Sequence, residues 1–600
     1  MYGRPVQKRA LGARFGGPDP QHQGELAFPF IEDESAVDDW VAFCLMALPA
    51  LPVLSAIVAP LLLRTVEHRV ARISVGFMGL TVLLALALLV AVLRMPAEQV
   101  EVLHAGPLSL MLDHLAVVMA VLVSGISLIV HLYAVHYMAD EPGFARFFAL
   151  LDLMTADILL LVCASDLLTL IVAWFLVGVL LYFLLGHDTT RVASGRYAFW
   201  TFITYRAGDL PLLGAALLLG HAYGTTQLPE LFARIAANPG VEVGGWPVAK
   251  TAAMLVALAA FARSAQFPLH SWLPYTMEGP TPVSALMHAG IVNAGGFLLN
   301  RFAPLFMHAS DVLHVVFAVG LLTALIGSAL MLTQNDIKKS LGYSTMGQMG
   351  FMVMECGLGA FSLAVYHLIA HGLFKATLFL GSGGVISDAR RNDGVPPDDI
   401  YTSVVERRPL RVVRLPWLVA LAVTVLVPVF VLGFSHLLVA ADFVHKQGAV
   451  ILLFFGWVTG AQVFFSIHRL PSENPWRSMG MIFLSFVIVV IGYTVIGHLF
   501  EHFLYPDAAL LDAIYTAAGV NLIAFDALVV ALTLVLVAAW LVTLYADSFD
   551  LRARSRVWNT VYLNLYALFS REFYVADVFA RLARMLQNGS KRVNVWLRWV

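Results

Sequence analysis

Residues 266–299 read QFPLHSWLPYTMEGPTPVSALMHAGIVNAGGFLL. Most of the stretch is apolar enough to lie in lipid, yet it carries Pro268, Pro274, Pro280 and Pro282, one carboxylate (Glu278) and two histidines (His270 and His288). Proline in a helix interior removes a backbone hydrogen bond, and a carboxylate in hydrocarbon is expensive. A membrane helix that accepts these costs is a broken one. Broken helices are tolerated where the freed backbone groups line a water-filled or protein-buried cavity.

The rest of the chain agrees with a membrane setting. Of 600 residues, 60% are hydrophobic and 13% charged, and the mean hydropathy is +0.81. A soluble protein of this size could not cover such a surface with polar groups, so the chain is read as an all-α polytopic membrane protein embedded in the lipid bilayer. The formal charge of −2 argues against a nucleic-acid partner, which would require a basic patch. Cys44, Cys163 and Cys356 sit singly in apolar runs, without the spacing of a disulfide framework, a zinc site or an iron–sulfur cluster. No cofactor is expected in this chain.

A spanning helix needs roughly 20 apolar residues. Candidates fall near 42–63, 71–95, 109–135, 148–165, 167–186, 198–220, 249–273, 282–300, 312–333, 341–358, 361–383, 415–440, 449–467, 479–499 and 525–546, about fifteen spans. Basic loops follow odd-numbered spans: Arg191 and Arg196 after the fifth, Lys338 and Lys339 after the ninth, Arg407, Arg408, Arg411 and Arg414 after the eleventh. Loops after even spans (96–108, 221–248, 500–523) are acidic or neutral. This asymmetry predicts a cytoplasmic C-terminus and an N-terminal extension (1–40) outside. The tail 547–600 alternates apolar and basic residues and reads as an amphipathic helix on the membrane face or against a partner.

Ionisable groups at bilayer depth are rare and mark ion paths. Here they form a series. Span 4 carries Asp152 and Asp157, and Asp166 sits in the turn to span 5. Arg206 and Asp209 lie three apart in span 6, where they can pair, as a structural pair or as part of a path. Arg263 precedes the Pro268 break, and Glu278 and His288 flank span 8. In span 11, His367, His371 and Lys375 fall at i, i+4 and i+8 on one helix face. Neutral imidazole both accepts and donates a proton, and a lysine desolvated in a membrane gives up its charge readily. That arrangement suits stepwise proton transfer. His436 lies beyond Pro428 in span 12, which is five spans after the first break, as a five-helix repeat would place it.

HSWLPYTMEGPTPVSALMHAG, QNDIKKSLGYSTMGQMGFM and YHLIAHGLFKATLFLGSG, with LDHLAVVMAVLVSGISLIVHLYAVHYM (112–138) and YRAGDL (205–210), together resemble the antiporter-like subunits of respiratory complex I (NuoL type) and of Mrp sodium/proton antiporters. The resemblance covers roughly residues 105–470. It implies two inverted five-helix repeats (148–300 and 301–470) with broken helices 7 and 12, preceded by N-terminal membrane helices (41–147) and followed by C-terminal ones (471–546). It also implies a chain of buried Lys, Glu and His that carries protons, with Glu278 and His288 edging the cavity opened at Pro268.

The departures are informative. The family motif has Glu directly after the span 5 Trp, where this chain has Phe175 after Trp174. Lys is usual in span 7, where this chain has Arg263, and usual in span 12, where it has His436. An arginine stays protonated and relays poorly. Asp152 and Asp157 are the candidates to replace the missing carboxylate. The sequence after span 15 is also shorter than the lateral helix and terminal span of NuoL subunits. With the span 8 version MHAGIVNAGGFLLNR, these features look most like the membrane subunits of DAB-type inorganic-carbon accumulation complexes. That resemblance implies a large peripheral zinc-containing, carbonic-anhydrase-like partner on the cytoplasmic face of a bacterial inner membrane. Protons or sodium ions would pass through this chain and drive hydration of CO2 to bicarbonate on the partner. The alternatives are a proton-pumping subunit of an NADH–quinone oxidoreductase, an Mrp-type antiporter subunit, and a non-conducting anchor.

Overall fold

The computed structural model describes residues 39–62, 67–95, 101–105, 108–382, 475–519 and 556–575, with scattered single residues elsewhere. The spans expected at 415–440, 449–467 and 525–546 lie outside the described residues, as do His436 and the Pro428 break.

Each of the first eleven expected spans coincides with a helix or a helix pair. They are α1 (Asp39–Leu62), α2 (Glu67–Val92), α3 (His114–Tyr137), α4 (Phe144–Val162), α5 (Leu167–Leu185) and α6 (Val192–Tyr223). A surface helix, α7 (Leu228–Ala237), precedes α8 (Val248–Arg263), and the eighth span is split into α9 (Thr281–Ala289) and α10 (Ala294–Arg301). After the short α11 (Ala303–Phe306) come α12 (Ser310–Met331), α13 (Ile337–Gly357) and α14 (Phe361–Ser382). Further on are α15 (Pro475–Leu504), α16 (Ala508–Ala517) and the tail helix α17 (Arg556–Ser570). Among the described residues, 9 stretches are long and apolar enough to cross a membrane.

The expected start of span 3 at 109 is corrected. Residues Leu108–Leu112 (β2) pair antiparallel with Glu101–Ala105 (β1), and the helix begins only after Asp113, whose carboxylate caps the Ala116 amide. A second small hairpin, β3 (Glu242–Val243) with β4 (Trp246–Pro247), leads into α8.

The break in span 7 includes Pro268, as expected, and residues 264–272 are not helical. α8 ends at Arg263, and Ala265 takes a left-handed φ of 49°. The chain resumes as a short 3-10 turn, Leu273–Glu278, before α9. The interrupted backbone is satisfied from neighbours, as a buried break requires. The Ser264 hydroxyl donates to the Val292 carbonyl (2.7 Å), Phe267 N–H donates to Thr323 Oγ1 (3.0 Å), and Trp272 Nε1 donates to the Ala262 carbonyl (3.2 Å). The Val292 carbonyl is itself freed by an interruption in span 8 at Gly290. The two breaks therefore complete one another.

Small residues set how closely the helices approach, as in lipid where the hydrophobic effect gives little drive to helix pairing. A Cβ on Gly208 of α6 would lie 2.6 Å from Ala262 Cβ of α8. A Cβ on Gly350 of α13 would run into the backbone of Ala324 on α12. Gly350→Val should therefore force α12 and α13 apart at a cost of about 1–3 kcal/mol. The expected readout is a lower melting temperature of the detergent-solubilised protein; an unchanged one would contradict this packing.

Candidate functional site

Two groups of buried charges occupy the membrane core. The first lies among α4, α5, α6 and α8. Arg263, the last residue of α8 and 1% exposed, donates from Nη2 to the Trp174 carbonyl (2.6 Å) and sits 3.4 Å from Asp209. Its guanidinium covers the rings of Trp174 and Tyr205, with centroids at 4.2 and 4.1 Å. Asp209 also pairs with Arg206 at 2.7 Å, the i, i+3 contact anticipated from spacing. Arg206 in turn lies 3.8 Å from the ring centroid of Phe175 and donates to the Phe175 carbonyl (3.1 Å). The residue in the place of the family's glutamate thus offers Arg206 an aromatic face, and the carboxylate is supplied from α6 instead. A cation over a ring gains about 0.5–2 kcal/mol, depending on how far the pair is desolvated. Gly178 leaves the room for Arg206, since a Cβ there would meet its guanidinium.

Asp157 of α4 is buried, neither carboxylate oxygen has a hydrogen-bond partner among the described residues, and it lies within electrostatic reach of Arg263. Asp152, five residues earlier, is held instead by Ser55 Oγ and Ser74 Oγ, each donating over 2.8 Å, and by His131 Nε2 at 3.0 Å. Asp166 is the N-cap of α5. It accepts from the amides of Leu168 and Thr169 and from the Thr169 hydroxyl, at the same membrane face as the Asp113–Arg301 ion pair.

The second group lies among α9, α13 and α14. His371 and Lys375 are buried on one face of α14, with His367 a turn before. His367 and His371 have ring centroids 6.5 Å apart. Lys375 Nζ donates to the Leu341 carbonyl of α13 (3.2 Å). His288 of α9 stacks on Phe379 at 4.3 Å, is fully buried, and lies within electrostatic reach of both His371 and Lys375. Among the described residues, neither imidazole of His288 or His371 has a hydrogen-bond partner. A Cβ on Gly372 would sit 2.8 Å from the Ala289 carbonyl, so this glycine lets α14 and α9 close on each other.

Sequence reasoning missed two members of this group. Glu355 of α13 faces His367 Nδ1 at 3.1 Å, and Gln348 Oε1 lies 2.8 Å from His367 Nε2. The signal was present: Glu355 interrupts the apolar run MVMECG, as Asp152 interrupts span 4. Glu278 lies elsewhere than the expected cavity edge beside His288. It is exposed, in a cleft of about 340 Å³ lined also by Glu141, His187, Arg191, Tyr275, Lys338 and Lys339. In the loop there, burial and then the neighbouring Arg146 guanidinium push the His187 imidazole below its ordinary pKa. The tail reaches this side of the protein too. Glu572 is buried and accepts a hydrogen bond from the Tyr275 hydroxyl (3.0 Å), while Phe573 packs edge-on to Phe267.

Eleven helical spans, a seventh one interrupted at a buried cation and a titratable line along the eleventh define an antiporter-like membrane subunit. Residues 164–462 match the family described as NADH:quinone oxidoreductase/Mrp antiporter, and residues 104–148 match that of the complex I chain 5 N-terminus. A protein of Halothiobacillus neapolitanus described as probable inorganic carbon transporter subunit DabB1 is 58% identical over 555 residues, covering 92% of this chain and 99% of its own. The NAD(P)H-quinone oxidoreductase chain 5 of Synechocystis is 42% identical over 48% of this chain and 43% of that one. The Mrp complex from Dietzia shares the fold, with a TM-score of 0.55 at 24% identity over 93% of this chain and 60% of that one. So does a chain of an archaeal membrane-bound sulfane sulfur reductase, with a TM-score of 0.55 at 18% identity over 79% of this chain and 99% of that one. The chain belongs to the antiporter-like membrane subunits of the complex I and Mrp type and, within them, to the DabB proteins.

The first charge group generates a test. Removing one partner of a buried ion pair costs about 3–5 kcal/mol. In Arg263→Ala, Asp209 keeps Arg206, whereas Asp157, which forms no ion pair of its own among the described residues, loses the nearby positive charge. Adding Asp157→Asn should restore much of the lost melting temperature, and adding Asp209→Asn should not. The opposite pattern would show that Arg263 serves Asp209 alone.

Proposed function

We propose that this chain is the proton-conducting membrane subunit of an energy-coupled inorganic-carbon accumulation complex. The observation that carries the reading is the buried line Glu355, His367, His371, His288 and Lys375, contributed by three helices and lacking a fixed guanidinium. Each member can take up and release a proton, and the imidazoles of His288 and His371, which have no partner among the described residues, keep lone pairs or N–H groups that a relay uses. His436, outside the described residues, is kept as a candidate next step from the sequence, and the first group contributes Asp157, Asp209 and the fixed charges of Arg206 and Arg263.

The relationship to DabB1 supports the coupling. Protons moving down their gradient would release energy to a peripheral zinc-containing, carbonic-anhydrase-like subunit, and hydration of CO2 to bicarbonate plus a proton would become one-way there. Zinc chemistry would belong to that partner. The reading places the chain in a bacterial inner membrane, and the basic loops support a cytoplasmic tail. Lys338, Lys339, Arg191 and the docked Glu572 share one face of the protein, which is the face proposed to receive the partner. A redox-coupled pump is disfavoured because Phe175 and Arg263 stand where that branch has Glu and Lys.

Lys375 decides the reading. Lys375→Ala should abolish air growth of a carbonic-anhydrase-deficient host while the partner still co-purifies, because alanine fits the helix and strands no charge. Lys375→Arg should fail as well, since guanidinium does not release its proton. An active arginine variant would reduce Lys375 to a fixed charge and end the relay assignment.

A further inference from the structure

We propose that His131 and Asp152 form a proton-holding site inside the α1–α4 bundle, separate from the line along α14. The proposal rests on the proton-conducting reading above and adds to it a residue, His131, and a charge state.

The hydrogen bonds fix where the protons are. His131 Nδ1 lies 2.7 Å from the Ser127 carbonyl, which can only accept, so Nδ1 carries a hydrogen. A neutral ring with that hydrogen presents a lone pair at Nε2. Nε2 is 3.0 Å from Asp152 Oδ1, and an ionised carboxylate there would set lone pair against lone pair. One further proton must therefore lie between them, either on the ring or on the acid. Both forms make the pair neutral overall, which suits its place: His131 is 0% and Asp152 1% exposed. Turning the ring over would put carbons against both oxygens, so the tautomer has no alternative partner.

The surroundings are consistent with this count. Thr155 Oγ1 donates to the Leu151 carbonyl (3.0 Å), so the Ser127 hydroxyl donates to Thr155 (2.6 Å) and leaves its lone pairs toward Nδ1–H at 3.2 Å. Ser55 of α1 and Ser74 of α2 donate to the two carboxyl oxygens. The Phe148 ring lies 6.0 Å from the imidazole. None of these neighbours titrates near neutral pH, and the arginines of α2, Arg69 and Arg72, are exposed. The His367–Glu355 contact does not force the same conclusion, because the Gln348 amide facing His367 can turn over. Releasing the proton from the His131 pair would leave a net negative charge in the bundle, so release is coupled to arrival of positive charge nearby. The helix carrying His131, α3, also packs against α9 and α14, which links this site to the second group.

Asp152→Asn separates a proton site from a structural pin. The asparagine amide N–H can donate to Nε2 of the neutral ring, so the helices stay joined and the extra proton is gone. Proton flux into liposomes bearing the full complex should fall at least tenfold across the pH range, with melting temperature and partner retention unchanged. Wild-type flux and an unchanged pH profile in Asp152→Asn would overturn the proposal. Absence of proton flux in the wild type would instead overturn the parent reading. A measurement needing no variant guards against misfolding: nitrogen NMR of 15N-histidine-labelled wild type should show His131 Nε2 bonded through a proton. A free, unprotonated Nε2 would equally refute the site.

Discussion

A charge in hydrocarbon must be neutralised or matched, and this chain does so by placing the partners on different helices. Arg263 ends α8, its carboxylates come from α4 and α6, and its aromatic cover comes from α5 and α6. Asp152 draws donors from α1, α2 and α3. His367 draws Glu355 across the α13–α14 hairpin. Helix packing and charge matching are therefore one constraint. The glycines follow from it: Gly208 lets α6 meet α8 near Arg263, Gly178 makes room for Arg206, and Gly372 brings α14 to α9 beside His288.

The two halves meet this constraint with different chemistry. In the first, guanidinium groups meet carboxylates, and both arginines lie over rings. Such an arrangement keeps its charges fixed, since an arginine does not titrate in a protein. In the second, imidazoles and an amine meet one carboxylate, and neutral forms are accessible to all of them. The replacement of a glutamate by Phe175 is intelligible in these terms. With arginine at 263, a carboxylate on α5 would compete with Asp209, whereas an aromatic ring accepts Arg206 without adding charge.

How much of this was legible depended on whether a residue's cost is local. The number and approximate place of the spans through residue 382 followed from hydropathy, since each needs roughly 20 apolar residues. The Arg206–Asp209 pair followed from spacing within one helix. The break in span 7 followed from Pro268, whose ring would clash with the carbonyl of residue 264 in a continued helix, whereas the bond that satisfies it is tertiary: the Ser264 hydroxyl donates to a carbonyl freed by the interruption at Gly290. Glu278 was drawn into the cavity by its apolar neighbours, whereas the short turn Leu273–Glu278 carries it out to the cleft. Glu355 and His131 escaped notice because each is a single polar residue in an apolar run, and their partners lie 12 and 21 residues away on other helices.

The tail shows the same logic at the membrane surface. The tail 547–600 was expected to form amphipathic helix on lipid or against another protein, and α17 forms within it at Arg556–Ser570. What periodicity could not supply is the turn that follows, where Glu572, Phe573 and Tyr574 take left-handed φ values of 56°, 55° and 57°. Non-glycine residues in that region cost of order 1–3 kcal/mol each and persist only where the surroundings impose them. Here the imposing contacts are the Tyr275 hydroxyl on Glu572 and Phe267 against Phe573, both from the segment that interrupts span 7. The tail is thus fastened to the stretch whose prolines first marked it as broken.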